Sequence, residues 1–172
     1  AFDLDATYLD TRALALTGAG WSLRQRTGGP DAGWHLKRPV EGGRLEASAP
    51  WSPEVPDALR QEAREVTGMG AVVPVARLRT RREETVLRLD GSDAALLAVD
   101  RVQATTASGD QVWREVEVEL LPGADADLVE TLAAVLIAAG AVPAGHASKV
   151  ERALDAVAPV VADPLKAAAN GM

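Results

Sequence analysis

Trp113-Arg114-Glu115-Val116-Glu117-Val118-Glu119-Leu120 is the stretch that decides how this chain is read. Its period-2 alternation predicts a β-strand with Glu115, Glu117 and Glu119 on one face and Val116, Val118 and Leu120 on the other. Like charges in a column repel, so such a face needs solvent, cations or opposing basic strands. The chain supplies basic strands at the same spacing of two: Leu23-Arg24-Gln25-Arg26, Trp34-His35-Leu36-Lys37 and Arg77-Leu78-Arg79-Thr80-Arg81. Both signs of charge on matching strand faces suit a protein that holds a metal and a polyanion.

Working outward, residues 3–9 read as a strand, and Thr11 to Ala19 as a short element ended by Gly18 and Gly20. Trp21–Thr27 and Trp34–Pro39 form a hairpin across the turn cluster Gly28-Gly29-Pro30-Asp31-Ala32-Gly33, and Arg44–Ala49 follows as a strand. Val55, Leu59, Ala63 and Val66 then share one helical face, with Gly68 as the stop. Strands are expected at 72–82, 85–89, 94–104 and 111–121, turned at Asp90-Gly91 and Ser108-Gly109-Asp110. Helices follow at 125–139 and 148–156, then an Ala-rich tail broken by Pro159 and Pro164. Hairpins, a helix, hairpins and helices in that order make an antiparallel α+β chain.

Composition narrows the function. With 172 residues, one domain with a real core is expected. The formal charge of −7 argues against general nucleic-acid binding, which needs a positive surface. The absence of cysteine excludes disulfides, Fe–S clusters and thiol catalysis, and fits a cytoplasmic protein. With only His35 and His146, any metal is expected to be a hard, carboxylate-bound ion, Mg²⁺ or Mn²⁺. No apolar run reaches the roughly 20 residues needed to span a bilayer, so no membrane partner is expected.

Together these landmarks resemble the CYTH domain, the triphosphate tunnel metalloenzyme family of triphosphatases and class IV adenylate cyclases. They run in family order through Tyr8-Leu9-Asp10-Thr11, Leu23-Arg24-Gln25-Arg26, Trp34-His35-Leu36-Lys37 and Arg44-Leu45-Glu46. The arginine strand at 77–82, Val99-Asp100, Glu117-Val118-Glu119-Leu120 and Ser148-Lys149 complete the set. The phrasing around residues 26–37 is most like bacterial CYTH domains fused to a C-terminal CHAD domain, with the tail at 157–172 as linker and 1–156 as the domain.

The resemblance implies an eight-stranded antiparallel β-barrel with a polar tunnel and covering helices. It implies phosphate binding by Arg24, Arg26, Lys37, Arg79, Arg81 and Lys149, and metal ligation by Glu46, Glu117, Glu119 and Asp100. Asp100 and Lys149 would also act in catalysis. The family's N-terminal Glu-x-Glu-x-Lys strand has no counterpart before Tyr8; without it an unpaired edge would favour dimerisation or cost stability. The implied activity is metal-dependent hydrolysis of triphosphate compounds, inorganic triphosphate first. The alternatives are a non-catalytic triphosphate, polyphosphate or nucleotide-binding module, and an adenylate cyclase.

Overall fold

The computed structural model describes residues 1–155. Seven strands form one antiparallel sheet in the order β4-β3-β2-β1-β5-β6-β7. They are β1 (Phe2–Asp10), β2 (Ser22–Thr27), β3 (Gly33–Val40), β4 (Gly43–Ala49), β5 (Val73–Leu89), β6 (Ser92–Thr106) and β7 (Gly109–Leu120). The helices are α1 (Ala15–Gly18), α2 (Asp57–Thr67), α3 (Leu128–Ala138) and α4 (Lys149–Asp155). The α+β class and curled antiparallel sheet match the sequence reading, with seven strands in place of eight and with β4 and β7 as its edges. The segments 72–82 and 85–89 are one strand, because Glu83 and Glu84 carry no turn chemistry and pair with Val99 and Ala98 without a break. The end of the last expected helix and the tail at 157–172 lie outside the described residues.

Two apolar clusters fix the curl. On the convex side, α1 and α2 cover β2 and β3 through Leu16, Trp21, Leu23, Trp34, Leu36, Leu59 and Ala63. α2 starts after Pro56, buries the predicted Leu59–Ala63 stripe, and stops where Gly68 takes a φ of 57°. The other cluster is on the concave side. There α4 inserts Val150 and Ala153 against Ala6, Tyr8, Ala76, Leu78, Val102, Ala104 and Trp113. Of the two C-terminal helices expected to cover the barrel, α4 instead plugs one end of the concavity, and α3 flanks β7. Gln111 Nε2 donates to the Ala153 carbonyl at 2.7 Å, and the Arg152 guanidinium lies 4.8 Å from the Trp113 ring centroid, so β7 holds α4 at two points.

The β2–β3 turn depends on glycine. Gly28 has a φ of 77°, and a Cβ there would overlap the Asp3 carbonyl oxygen, so β1 and the turn can touch only without a side chain. At the other end of β1, the buried Asp10 carboxylate organises α1. It accepts from the Thr11, Leu16 and Thr17 amides at 2.7, 2.9 and 2.9 Å and from Thr17 Oγ1 at 2.8 Å. These are donors that a four-residue helix cannot satisfy itself. Asp10→Ala is expected to cost about 3 kcal/mol in urea denaturation, because it strands buried amides. Asp3→Ala, on the exposed face, is expected to stay within about 0.5 kcal/mol.

Candidate functional site

The concave face holds a cavity of about 570 Å³ beyond the α4 plug. Alternate residues of each strand point into it: Tyr8 from β1, Arg24 and Arg26 from β2, His35 and Lys37 from β3, and Glu46 and Ser48 from β4. Thr80 and Arg82 come from β5, Asp100 from β6, Glu117 and Glu119 from β7, and Lys149 from α4. Of the residues expected from sequence, Arg24, Arg26, Lys37, Glu46, Asp100, Glu117, Glu119 and Lys149 therefore share one cavity.

Arg79 and Arg81 do not share it. They stand on the convex face, Arg79 with its Nε 3.6 Å from Asp5 and Arg81 2.9 Å from Asp3. The reason is register: β5 pairs Leu78 with Ala6 and Thr80 with Leu4, so its even positions face inward. Arg82 is the arginine that enters the cavity. It was missed because the spacing at 77, 79 and 81 outweighs a single residue at 82. The available signal was that Leu78, Thr80 and Arg82 share a parity, opposite to a face whose arginines meet Asp3 and Asp5 on β1.

The cavity has two electrical poles. The acidic pole is Asp100, Glu115 and Glu117, whose carboxylates each offer an oxygen within 4.8 Å of the others. Two cations already serve it. Arg82 forks onto Asp100 (2.8 and 2.7 Å) and also donates to Glu117 at 2.6 Å. Lys149 Nζ contacts Glu115, lies 2.6 Å from Glu117 and 3.1 Å from Asp100. Trp113 Nε1 donates to Glu115 at 2.6 Å and so ties this pole to the plug.

Asp100 is wholly buried. Burial alone would raise its pKa, but the hydrogen bonds from Arg82 and the charge of Lys149 hold it below the ordinary aspartate value. Glu117 is lowered in the same way, with Lys149 overcoming its burial. Lys149 itself, despite burial, is raised by Glu117 and Glu115.

The basic pole is formed by β2 and β3. Arg26 is buried, and Arg24 donates to Tyr8 Oη at 3.2 Å. The Nε atoms of both arginines are buried without a hydrogen-bond partner. Burial and the neighbouring Arg24 push the Arg26 pKa down, yet a guanidinium stays charged. The carbonyl of Asp31, in the β2–β3 turn, accepts from Arg26 at 2.9 Å and lies 2.8 Å from His35 Nε2. His35 Nδ1 lies 2.7 Å from Glu46, which also pairs with Lys37 at 3.1 Å. Burial opposes the Glu46 charge, but Lys37 and His35 lower its pKa. The structure therefore separates Glu46 from the carboxylate cluster it was expected to join, and Glu115 stands there instead. Glu119 lines the cavity outside that cluster. Arg38, of opposite parity, lies outside, 3.0 Å from Glu62 of α2.

Breaking this network has distinguishable costs. Arg82→Ala leaves Asp100 buried beside Lys149 alone and is expected to destabilise by about 3 kcal/mol in urea denaturation, whereas Arg79→Ala is expected to cost under about 1 kcal/mol. Because the Asp100 and Glu117 values are depressed on folding, their contribution is complete above the ordinary carboxylate range and is lost as pH falls through the depressed values. A pH series of denaturation midpoints should therefore fall below about pH 4, and more shallowly in Arg82→Ala. The raised Lys149 pKa predicts a second loss only at strongly alkaline pH.

The CYTH domain sequence profile matches residues 2–154. The uncharacterised protein Rv2226 of Mycobacterium tuberculosis strain H37Rv is 41% identical over 176 aligned positions, covering 91% of this chain; the chain spans 34% of that relative's length. An adenylate cyclase candidate from Bacillus halodurans superposes with a TM-score of 0.61 at 19% identity, covering 88% of this chain and 82% of its own. HpAC1 from Hippeastrum, an adenylyl cyclase candidate with a dominant triphosphatase activity, gives 0.50 at 16% identity over 91% and 83%. These likenesses at low identity speak to fold, and the profile match over nearly all the described chain establishes the family. The chain belongs to the CYTH domain family.

Proposed function

We propose that this domain hydrolyses triphosphate-containing substrates with the help of a divalent metal, inorganic triphosphate first among them. The observation that carries the reading is the neighbouring pair Arg24 and Arg26, half-buried and buried, each with a buried Nε–H lacking a partner, lining one cavity with a carboxylate cluster. Two neighbouring guanidiniums repel each other, and an anion with several oxygens relieves both the repulsion and the unmet donors.

In this reading Arg24, Arg26 and Lys37 grip the non-reacting phosphoryl oxygens: arginine with its fork, lysine as a movable point charge. Asp100, Glu115 and Glu117 fit a hard cation, since their oxygens lie within 4.8 Å of one another and belong to the donor class that Mg²⁺ and Mn²⁺ prefer. Glu119 lines the same cavity outside that cluster, whereas Glu46 serves the basic pole by positioning Lys37 and His35. When bound, the metal would supply charge neutralisation at the phosphoryl group. Lys149 touches all three carboxylates, and its ammonium would be available to the substrate oxygens were a cation held by those carboxylates. Asp100 and Glu117 orient water for in-line attack on the terminal phosphorus; the bond to the bridging oxygen breaks, orthophosphate and pyrophosphate form, and the water proton passes to solvent, the chain's task being positioning and electrostatics.

A non-catalytic binding module is the second reading. It is favoured by one observation: Arg82 and Lys149 already neutralise the acidic pole from within the chain. An adenylate cyclase would further require a nucleoside pocket, for which the sequence gives no sign. The length of the curated relatives leaves room for the CHAD domain that the sequence resemblance implies. The absence of cysteine accords with a cytoplasmic setting, and no helix among the described residues is long and apolar enough to cross a membrane.

Phosphate release from inorganic triphosphate, ATP and thiamine triphosphate, each with Mg²⁺, Mn²⁺ or EDTA, separates these readings. EDTA-sensitive release favouring inorganic triphosphate is expected; binding without release would move the domain to the second reading. Arg26→Ala is expected to raise KM about tenfold, equivalent to roughly 1.4 kcal/mol of binding. Glu117→Ala is expected to lower kcat by about 100-fold or more at a smaller change in KM. Full activity in both variants would sink the cavity as the site.

A further inference from the structure

The convex face of β5–β7 carries a row of charge that the cavity chemistry does not use. Register places Arg81 opposite Arg101, and Arg101 opposite Arg114, so three arginines stand in line across three adjacent strands. All three are exposed. Directly opposed like charges destabilise a sheet, and strands lie about 4.8 Å apart, so the row is a linear array of cations at close spacing. Asp3 pairs with Arg81 on the β1 side, but among the described residues Arg101 and Arg114 have no carboxylate within salt-bridge distance. On a chain with a net charge of −7, this is a local concentration of positive charge.

We propose that this row is a docking surface for linear polyphosphate, separate from the cavity and independent of whether the cavity hydrolyses anything. Guanidinium forks match phosphoryl oxygens, and a flexible chain with a charge on every unit can lie across the strands and meet each arginine in turn. A single-stranded nucleic acid would want aromatic platforms for its bases. None of the four tryptophans serves here: Trp21 and Trp34 lie under the α1–α2 cover, Trp113 faces inward under α4, and the exposed Trp51 follows β4 at the opposite edge of the sheet. An acidic peptide would want a buried apolar anchor beside the charges; the neighbouring row, Arg79, Gln103 and Val112, offers only the exposed Val112 on an open strand face, with no pocket to bury it.

The test is direct binding of long-chain sodium polyphosphate and of inorganic triphosphate to the whole chain, by calorimetry over a series of salt concentrations. Arg101→Gln/Arg114→Gln should weaken long-chain binding at least tenfold, flatten its salt dependence and leave triphosphate binding unchanged. Arg26→Ala should do the reverse, losing triphosphate and keeping the long chain. That crossing of effects separates this site from the cavity: if the cavity reading fails, triphosphate binding is absent in every variant while the long-chain result still stands or falls alone. Thermal melts of the glutamine variants should match the parent, and Arg101→Lys/Arg114→Lys should restore most of the long-chain affinity. Long-chain affinity that follows Arg26, or stays within twofold in the glutamine variant, overturns the proposal. Equal or tighter binding of poly-glutamate or oligothymidylate at the same arginines overturns it as well.

Discussion

The fork of Arg82 on the wholly buried Asp100 is the contact on which the rest of the structure depends. It joins β5 to β6 at directly paired positions, reaches β7 through Glu117, and meets α4 through Lys149. A buried carboxylate is tolerable only when its charge is matched and its lone pairs are filled, and Arg82 and Lys149 together do both. Three strands and a helix from distant parts of the chain must therefore arrive together, and the curl of the sheet is the geometry that lets them.

That constraint divides the concave face in two. Where α4 enters, the inward residues are small and apolar, Ala6, Ala76, Leu78 and Ala104, because Val150 and Ala153 need a surface to bury against. Beyond Lys149 the inward residues become charged, and the space stays open as the cavity. One helix thus supplies apolar packing with its middle and a cation with its first residue. Gln111, Trp113 and Glu115, alternate residues of β7, hold it in place through the Ala153 carbonyl, the Arg152 guanidinium and the Lys149 ammonium.

This division also explains which parts of the site were legible in the sequence. On β7 the two faces differ cleanly in chemistry, glutamate against valine and leucine, so alternation assigned Glu117 and Glu119 to one side without tertiary knowledge. On β5 both faces mix charge with apolar groups. Alternation there shows that Arg79 and Arg81 share a face but not which face is inward. The answer came from α4, whose seven residues carry too short a pattern to reveal which side of the sheet they pack on. Asp100 was legible as a landmark, whereas its partner Arg82 was hidden as the second member of an arginine doublet. Glu46 was misplaced because strand parity says which residues point inward and not which wall of the cavity each one occupies. The strand count failed for a related reason: a pair of glutamates in a 17-residue strand reads as an interruption, though nothing in Glu83-Glu84 bends a backbone.

The asymmetry between the two poles gives the cavity its chemical direction. The acidic pole is internally matched, three carboxylates against Arg82 and Lys149, so each of its charges has a partner supplied by the fold. The basic pole is not: Arg24 leans on a tyrosine hydroxyl, Arg26 on a carbonyl and the exposed carboxylate of Asp31, and the two guanidiniums press on each other. Folding alone would favour an apolar residue or a paired glutamate at either position. Their retention with buried Nε–H groups that lack partners is a stability cost that, in the proposed reading, a polyanion would relieve. In the proposed reading Lys149, shared among three acceptors, is the cation best placed to serve that anion were the acidic pole to gain another positive charge.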